Sequence, residues 1–170
     1  MHLSDRDIRK ALETGRLVAR PLAENAIQPA SIDVRLSDKW LRERGTELEG
    51  TRIIDGRWVP CVGNTLWLSS GAFVLASTME YIEVADDLVV EISGKSSLGR
   101  NGVLVHATAG WVDPGFRGTL TLELYNLSNR VIPLRVGDFI AQLKVIQLSS
   151  PAEHPYSGRY LGQDGPTAPR

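Results

Sequence analysis

Apolar and polar residues alternate with a period of two along much of the chain, which is typical of β-strands. The alternation is clear over residues 119–124, where Thr119, Thr121 and Glu123 share one face and three leucines occupy the other. The leucines predict a face buried in the core. The opposite face would then hold a glutamate beside threonines, on a strand that the flanking leucines place near the middle of a sheet.

Strand-like runs of this kind recur from Leu66 to Leu148, separated by residues that form turns. Upstream, Ile32, Val34 and Leu36 share one face of a further run. Many short strands with little helix favour an all-β fold, whether a sandwich, a jelly roll or a barrel.

Two segments depart from this alternation. Residues 43–64 are polar and contain glycine, which predicts a loop or a hairpin. Residues 1–16 have apolar positions at helical spacing, with Ser4 as the N-cap, Asp7 three positions later and Gly15 as the stop signal. We therefore expect one short N-terminal helix before the strands.

A length of 170 residues predicts a single domain with its own hydrophobic core. No internal repeat or low-complexity tract interrupts it. The last segment, residues 151–170, contains few apolar residues and many turn formers. The pattern alone therefore predicts a frayed tail.

The balance of charge limits the partners that we expect. The 20 acidic residues and 19 lysines and arginines give a net charge of −1, so no broad basic surface is predicted for long nucleic acids. The longest apolar runs are too short to span a membrane, and the N-terminus lacks the apolar core of a signal peptide. The only cysteine, Cys61, cannot form an internal disulfide, which fits a reducing cytoplasm.

Residues that bind zinc are too scattered to predict a metal site. His2, His106 and His154 are far apart along the chain, and Cys61 stands alone. We therefore expect no zinc-assisted hydrolysis and no metal ligands from the protein.

The segment SGKSSLGR, residues 93–100, is a candidate anion-binding loop. It offers two glycines for close backbone turns, two hydroxyl donors and two cations. These are Gly94 and Gly99, Ser96 and Ser97, and Lys95 and Arg100. Their order does not match a Walker A loop. From these residues alone, a solvated β-turn explains the pattern equally well.

Two carboxylates near this loop are candidates for catalysis. Glu123 lies either on an edge strand facing water or in a pocket, where it could transfer protons. Asp113 lies ten residues earlier in the segment VDPG, where an aspartate is also an ordinary turn residue. The residues alone leave both alternatives open.

Several motifs together resemble those of dCTP deaminases in order and spacing. They are LSDRDIRKALETGRL, QPASIDVRL, GKSSLGRNGVLVHATAGWVDPGFRGTLTLELYN, GDFIAQL and the tail segment HPY…RYLGQDGPTAPR. The likeness covers nearly the whole chain. It implies the dUTPase-like fold, a distorted jelly roll or β-barrel with a short N-terminal helix, and a homotrimer with active sites at its subunit boundaries.

The resemblance also implies roles for individual residues. The triphosphate would be held by Lys95, Ser96, Ser97, Leu98, Gly99 and Arg100. Gln142 would assist, the backbone at Thr121 and Leu122 would contact the base, and Asp113 would lie beside the deoxyribose. Glu123 would activate a water to attack C4 of cytosine and then deliver the proton to the departing amine. Magnesium would be held mainly by the substrate phosphates, and no zinc would be used.

By the same resemblance, residues 151–170 form a lid that closes over the nucleotide. Tyr156, Arg159 and Gln163 match positions of such a lid. Only Ser-Gly separates Tyr156 from Arg159, whereas family members usually have several more residues there. The resemblance therefore predicts a lid whose geometry differs in this chain.

The pair Gly110–Trp111 resembles members that continue from dUTP to dUMP and pyrophosphate, with Asp113 orienting water at the α-phosphate. Members that release dUTP often carry a His-Arg pair at this place. Three alternatives stay open: a deaminase that stops at dUTP, a dUTPase without deaminase activity, and a non-enzymatic jelly-roll binding module. Phe116 counts against the dUTPase, because dUTPases typically have tyrosine there.

Overall fold

Strands dominate the computed structural model, which describes residues 1–48 and 51–169. In chain order the elements are α1 (Asp5–Glu13), β1 (Leu17–Arg20), β2 (Ile27–Gln28), β3 (Ser31–Leu48), β4 (Thr51–Val62), β5 (Thr65–Leu68), β6 (Phe73–Val84), β7 (Leu88–Gly94), α2 (Ser96–Gly99), β8 (Val103–Leu104), β9 (Trp111–Val112), β10 (Arg117–Asn126), β11 (Ile132–Arg135) and β12 (Phe139–Gln147). The prediction of an all-β fold with a short N-terminal helix is confirmed. Within the described ranges, neither helix is long and apolar enough to cross a membrane.

Among the described strands, ten form one curled sheet with the hydrogen-bonded order β8-β10-β6-β3-β12-β7-β9. β1 pairs with β6, β2 and β4 pair with β3, and β5 and β11 form a separate two-stranded sheet. β9 and β10 lie toward opposite ends of this order, yet Val112 of β9 and Glu123 of β10 line the same cavity. The sheet therefore curls until its two ends face each other, as in a barrel.

The core is filled by the apolar faces that the alternation predicts. Leu120, Leu122 and Leu124 of β10 are at most 3% exposed, and Ile32 of β3 is buried as well. Each large apolar side chain buried in this way contributes about 1.5–3 kcal/mol. The opposite face of β3 is also covered, so Asp33 is a buried charge rather than a solvated one.

Residues 43–64, predicted to be a loop or a hairpin, belong to the long β3–β4 hairpin. The two strands pair antiparallel from Lys39 opposite Val62 to the end of β3. Residues of this segment therefore extend the sheet, and of the two predicted alternatives the hairpin is the one observed. Residues 49–50 lie outside the described residues.

Helix α1 has nine residues and is shorter than the predicted span of residues 1–16. Ser4 occupies the N-cap position, but its hydroxyl donates to the Asp7 carboxylate at 3.1 Å and does not cap a backbone N–H. Gly15 follows the helix with a φ of 72°, a left-handed conformation that favours glycine. The helix therefore ends where the sequence predicts, whereas its first turn is arranged differently.

A buried ion pair joins β3 to β6. Glu80 is fully buried, and its carboxylate oxygens accept the Arg35 backbone N–H at 2.8 Å and the Arg35 Nε at 2.7 Å. Two residues earlier, the Thr78 hydroxyl accepts the backbone N–H of Leu120 at 2.9 Å. This second bond lies at the register shift between β10 and β6, where it gives a buried donor a partner in place of the ladder.

A second ion pair joins the chain before β1 to the beginning of β7 and the end of β12. Asp87 accepts bonds from the Arg16 guanidinium and, at 3.3 Å, from the Gln147 side-chain amide. Burial alone would raise the pKa of Asp87, but the bonds from Arg16 and Gln147 and the positive charge outweigh it. The pKa therefore lies below its ordinary value, and the folded state favours the charged carboxylate.

We expect Arg16→Ala to lower the free energy of unfolding by about 1 kcal/mol at neutral pH, because Asp87 loses a partly exposed ionic partner. Since the pKa of Asp87 is lower in the folded protein, this stabilisation is complete above the unfolded pKa and is lost as the pH falls through the folded pKa. Urea unfolding at neutral pH and at about pH 3 measures the difference, which should shrink in acid. The control is Arg6→Ala, which breaks only an exposed pair with Asp7. Equal losses in both variants would contradict the assignment.

Candidate functional site

A cavity of about 310 Å³ opens between β10, β9 and the tail. It brings together six residues that the sequence analysis selected: Trp111, Asp113, Thr121, Glu123, Tyr156 and Gln163. Apolar side chains fill the wall between them, among them Ile92 of β7 and Leu75 of β6. An apolar cavity with a few convergent polar groups is the usual form of a small-molecule site.

Glu123 is held on the cavity side of β10 by two backbone amides. Its half-buried carboxylate accepts the N–H groups of Ala107 at 2.8 Å and Thr108 at 3.2 Å, both on Oε2. Among the described residues, no donor contacts Oε1. Glu123 also pairs with Leu75 of β6, and its half-buried position lines the cavity. One carboxylate oxygen is therefore oriented by the protein, and the other remains for a ligand or a water in the cavity.

Asp113 begins the turn that precedes β10. The Phe116 N–H donates to the Asp113 carbonyl at 3.1 Å, and Pro114 and Gly115 fill the central positions, with a φ of 84° at Gly115. This is the pattern of a type II turn, whose third position requires a positive φ. Asp113 is therefore a turn residue, and its exposed side chain also borders the cavity.

The predicted anion loop lies outside this cavity. Residues 96–99 form helix α2, and the Gly99 N–H bonds back to the Lys95 carbonyl at 2.9 Å. Neither Gly94 nor Gly99 has a positive φ, so neither backbone conformation requires glycine, and phosphate binding by this loop stays a prediction. The two serines and Arg100 are nevertheless exposed, as a loop that meets a ligand from outside requires.

Lys95 and Gln142, which are expected to contact the phosphates, both donate to a carboxylate that the sequence analysis missed. Asp33 is 3% exposed, and it accepts one bond from the Lys95 ammonium group and another from the Gln142 amide at 3.3 Å. Lys95 also lies 5.5 Å from the centre of the Phe139 ring. A signal was present in the sequence, because a charge set between the apolar residues of β3 needs a partner.

The two residues expected to contact the base through their backbone face different ways. Thr121 lines the cavity, and its hydroxyl accepts the Thr167 N–H at 3.2 Å. Leu122 is fully buried in the core and pairs with Ala76 of β6. The side chain of Leu122 therefore supports the strand, and only its backbone is left for a contact with a base.

The tail is packed along β10. It runs parallel to that strand from Gly162 to Thr167, where Gly118 pairs with Gln163 and the Thr119 N–H donates to the Gln163 carbonyl at 3.0 Å. The frayed tail predicted from composition is therefore wrong for the described residues. Few apolar side chains are needed because hydrogen bonds to β10 hold the segment.

The three residues expected in a lid are placed differently. Tyr156 packs its ring against Phe116, with centroids 5.9 Å apart, and it lines the cavity with Gln163. Arg159 is exposed and does not line the cavity. Three tail residues that the sequence analysis did not select also line it: Tyr160, Thr167 and Pro169. A segment without periodic pattern carried no signal for their burial.

Gly110 and Trp111 lie where the chain enters β9. Gly110 accepts the Ile92 N–H at 2.6 Å, and a Cβ atom at Gly110 would lie 3.1 Å from both the Ile92 carbonyl oxygen and the His106 ring. A larger side chain at this position would therefore displace His106 or β7. Trp111 borders the cavity although it is 57% exposed.

Comparison with known proteins finds relatives over the whole chain. A family model described as dCTP deaminase-like matches residues 2–148. The chain is 48% identical to a Nocardia farcinica protein named "dCTP deaminase, dUMP-forming", and the match covers all of this chain and 91% of that protein.

Solved structures show a similar fold. The 2'-deoxycytidine 5'-triphosphate deaminase from Agrobacterium tumefaciens matches with a TM-score of 0.67 and 25% identity, covering 85% of this chain. This chain spans about half of that protein, 47% of its length. A mutant dUTPase of Staphylococcus bacteriophage 80alpha matches with a TM-score of 0.51 and 14% identity, over 84% of this chain and 97% of that one. The dUTPase-like fold that the resemblance implied is confirmed.

Proposed function

We propose that this chain, which belongs to the dCTP deaminase-like family, deaminates dCTP and continues to dUMP and pyrophosphate. The likeness over its full length to a relative named as dUMP-forming supports this activity. The observation that carries the proposal is the meeting of two carboxylates, Glu123 and Asp113, at one cavity. Two carboxylates on separate supports suit two hydrolytic steps at different ends of one nucleotide.

In the first step Glu123 acts as general base and then as general acid. It takes a proton from a water whose oxygen attacks C4 of the cytosine, and C4 becomes tetrahedral. The C4–N bond then breaks and ammonia leaves with one of the water's protons, while the other proton ends on N3 of the uracil. The amides on Oε2 fix the carboxylate, so Oε1 carries the proton in both transfers.

In the second step Asp113 orients a water that attacks the α-phosphorus of the bound dUTP. The water oxygen bonds to the α-phosphorus, its proton passes to solvent, and the bond from the α-phosphorus to the oxygen shared with the β-phosphorus breaks, so that dUMP and pyrophosphate leave. Asp113 stands on the turn before β10, whereas Glu123 stands within the strand and is held by a different loop. The two steps should therefore be separable by mutation.

The triphosphate is assigned to the anion loop of a second copy of the chain. Residues 95–100 do not line the cavity that contains Glu123 of the same chain, yet they expose two hydroxyls and a guanidinium suited to phosphate. A homotrimer with sites at its subunit boundaries brings such a loop to the neighbouring cavity. In this arrangement Asp33 orients Lys95 and Gln142 within the loop's own subunit.

Magnesium enters the site with the triphosphate in this proposal. Among the described residues, no group of three His, Cys, Asp or Glu side chains is arranged to hold a metal ion. The phosphates supply the hard oxygen ligands that Mg²⁺ prefers. A reaction without zinc stays a prediction, which metal analysis of the dialysed protein checks.

The presence of a single cysteine favours the cytoplasm as the location of the protein.

Product analysis of dCTP turnover tests the proposed function. The full chain is incubated with dCTP and Mg²⁺, ammonia is assayed, and dUTP is resolved from dUMP by anion-exchange chromatography. We expect ammonia, dUMP and pyrophosphate in equal amounts, without accumulation of dUTP. Release of dUTP as the end product would indicate a deaminase only, and hydrolysis of dUTP without ammonia from dCTP would indicate a dUTPase. A protein whose melting temperature responds to sugars but to neither nucleotide would be a binding module.

A further inference from the structure

Thr119 of β10 makes several hydrogen bonds to the tail. The Thr119 hydroxyl accepts the Gly165 N–H at 2.8 Å, and the Thr119 carbonyl accepts the Gln163 side-chain amide at 2.6 Å. The Thr119 N–H donates to the Gln163 carbonyl at 3.0 Å, and the hydroxyl makes longer contacts as a donor to the carbonyls of Gln163 at 3.4 Å and Gly165 at 3.5 Å. Thr119 is only 8% exposed, so water does not readily replace these bonds.

The contact between the tail and β10 continues along the strand with the same two-residue spacing on both segments. Thr121 accepts the Thr167 N–H at 3.2 Å, so hydroxyls two residues apart on β10 meet amides two residues apart on the tail. The neighbouring Gly118 makes room for this approach, because a Cβ atom there would lie 2.9 Å from the Gln163 carbonyl oxygen. The tail therefore docks on β10 in one register.

The hydroxyl of Thr119 is not needed for the strand itself. Valine has the same shape and an equally good β-propensity, but it would leave the buried Gly165 N–H without its acceptor. The docked tail places Gln163 and Thr167 at the cavity that contains Glu123 of the same chain. The hydroxyl therefore acts on the cavity through the tail.

We infer that Thr119 is a positioning residue, whose hydroxyl docks the tail over the cavity of its own chain and so holds Gln163 and Thr167 against the bound nucleotide. The docking of the tail is inferred from these hydrogen bonds alone. The expected effect on nucleotide binding rests in addition on the proposed function. The tail exchanges between docked and undocked forms, and the apparent affinity for nucleotide scales with the docked fraction.

Thr119→Val should raise the KM for dCTP by about three- to tenfold, the factor expected for loss of one hydrogen bond, while kcat changes by less than about twofold. Hydrogen exchange at the Gly165 amide should accelerate by a similar factor. Thr119→Ser keeps the hydroxyl and should restore both values. The matched control is Thr14→Val, which removes a hydroxyl bond of 2.8 Å to the Lys10 carbonyl in α1 and should change neither.

Equal KM values and equal Gly165 exchange in the valine and serine variants would overturn the inference. A lower melting temperature in Thr119→Val without a change in either quantity would also overturn it, because a purely structural role predicts that result. If Thr119→Val does not fold, hydrogen exchange is measured in the wild-type protein instead. Exchange of the wild-type Gly165 amide at the rate of an unbonded amide would contradict docking. Protected Gly165 in a protein that turns over no dCTP would support docking and contradict the proposed function.

Discussion

Replacing Glu123 by glutamine should reduce ammonia release from dCTP by about 10²- to 10⁴-fold while the protein remains folded. The glutamine oxygen can still accept the Ala107 and Thr108 N–H groups that hold the carboxylate, so the loop keeps its partner. The variant loses only the basic oxygen, because a carboxamide cannot take a proton from water and return it to the amine. Since one residue serves both transfers in the proposed mechanism, both are lost together.

Ammonia release in single turnovers and hydrolysis of added dUTP measure the two steps separately. Glu123→Gln should still convert dUTP to dUMP, because that step depends on Asp113. The matched control is Glu83→Gln, a half-buried strand glutamate that pairs with Arg20 and does not line the cavity. A folded Glu123→Gln protein that deaminates dCTP at the wild-type rate would refute the mechanism, and equal loss of both activities would contradict the division of roles.

Two defective variants should restore activity when they assemble into mixed trimers. Glu123→Gln lacks the proton carrier, while Arg100→Glu reverses an exposed charge and repels the triphosphate. In the proposed trimer, each active site contains Glu123 of one subunit and Arg100 of its neighbour. In each mixed trimer about one third of the sites then contain both native residues, whereas trimers of either variant alone contain none.

Co-expression with two affinity tags, followed by purification through both, isolates the mixed trimers for assay with dCTP. The matched control replaces Arg100→Glu by Arg135→Glu, an exposed charge reversal on β11, which should leave about half of the sites active. Mixed Glu123→Gln and Arg100→Glu trimers that remain at the level of their parents would show that both residues serve the same subunit's site. A species that carries both tags but sediments as a dimer would contradict the trimer itself.

The local pattern of the chain determined most of the fold. A period of two assigns each residue of a strand to a face from its immediate neighbours, which is why the leucines of β10 and Ile32 of β3 are buried as predicted. The stop at Gly15 is likewise a local property, because a positive φ after a helix favours glycine. The two catalytic candidates, Glu123 and Asp113, also stood out by their residue type and setting.

The functional arrangement of those residues depended on contacts between distant parts of the chain. One of the two amides that hold Glu123 belongs to a residue 16 positions away. The carboxylate that pairs with Lys95 lies 62 positions away, and the amide that donates to the Thr119 hydroxyl lies 46 positions away. No periodicity links such pairs, because the curl of the sheet and the path of the tail bring them together. The same curl leaves Arg100 outside the cavity of its own chain.

The sequence by itself therefore determined which strand faces are apolar and buried, where α1 ends and which carboxylates are candidates, since each depends on propensity and spacing over a few neighbours. Only the tertiary structure decided that Asp33 pairs with Lys95, that the polar tail is docked, and that Glu123 and Asp113 share a cavity which residues 95–100 do not reach. The physical reason is that a hydrogen bond between distant segments requires both to be positioned by the whole sheet, whereas a buried face requires only alternation along one strand.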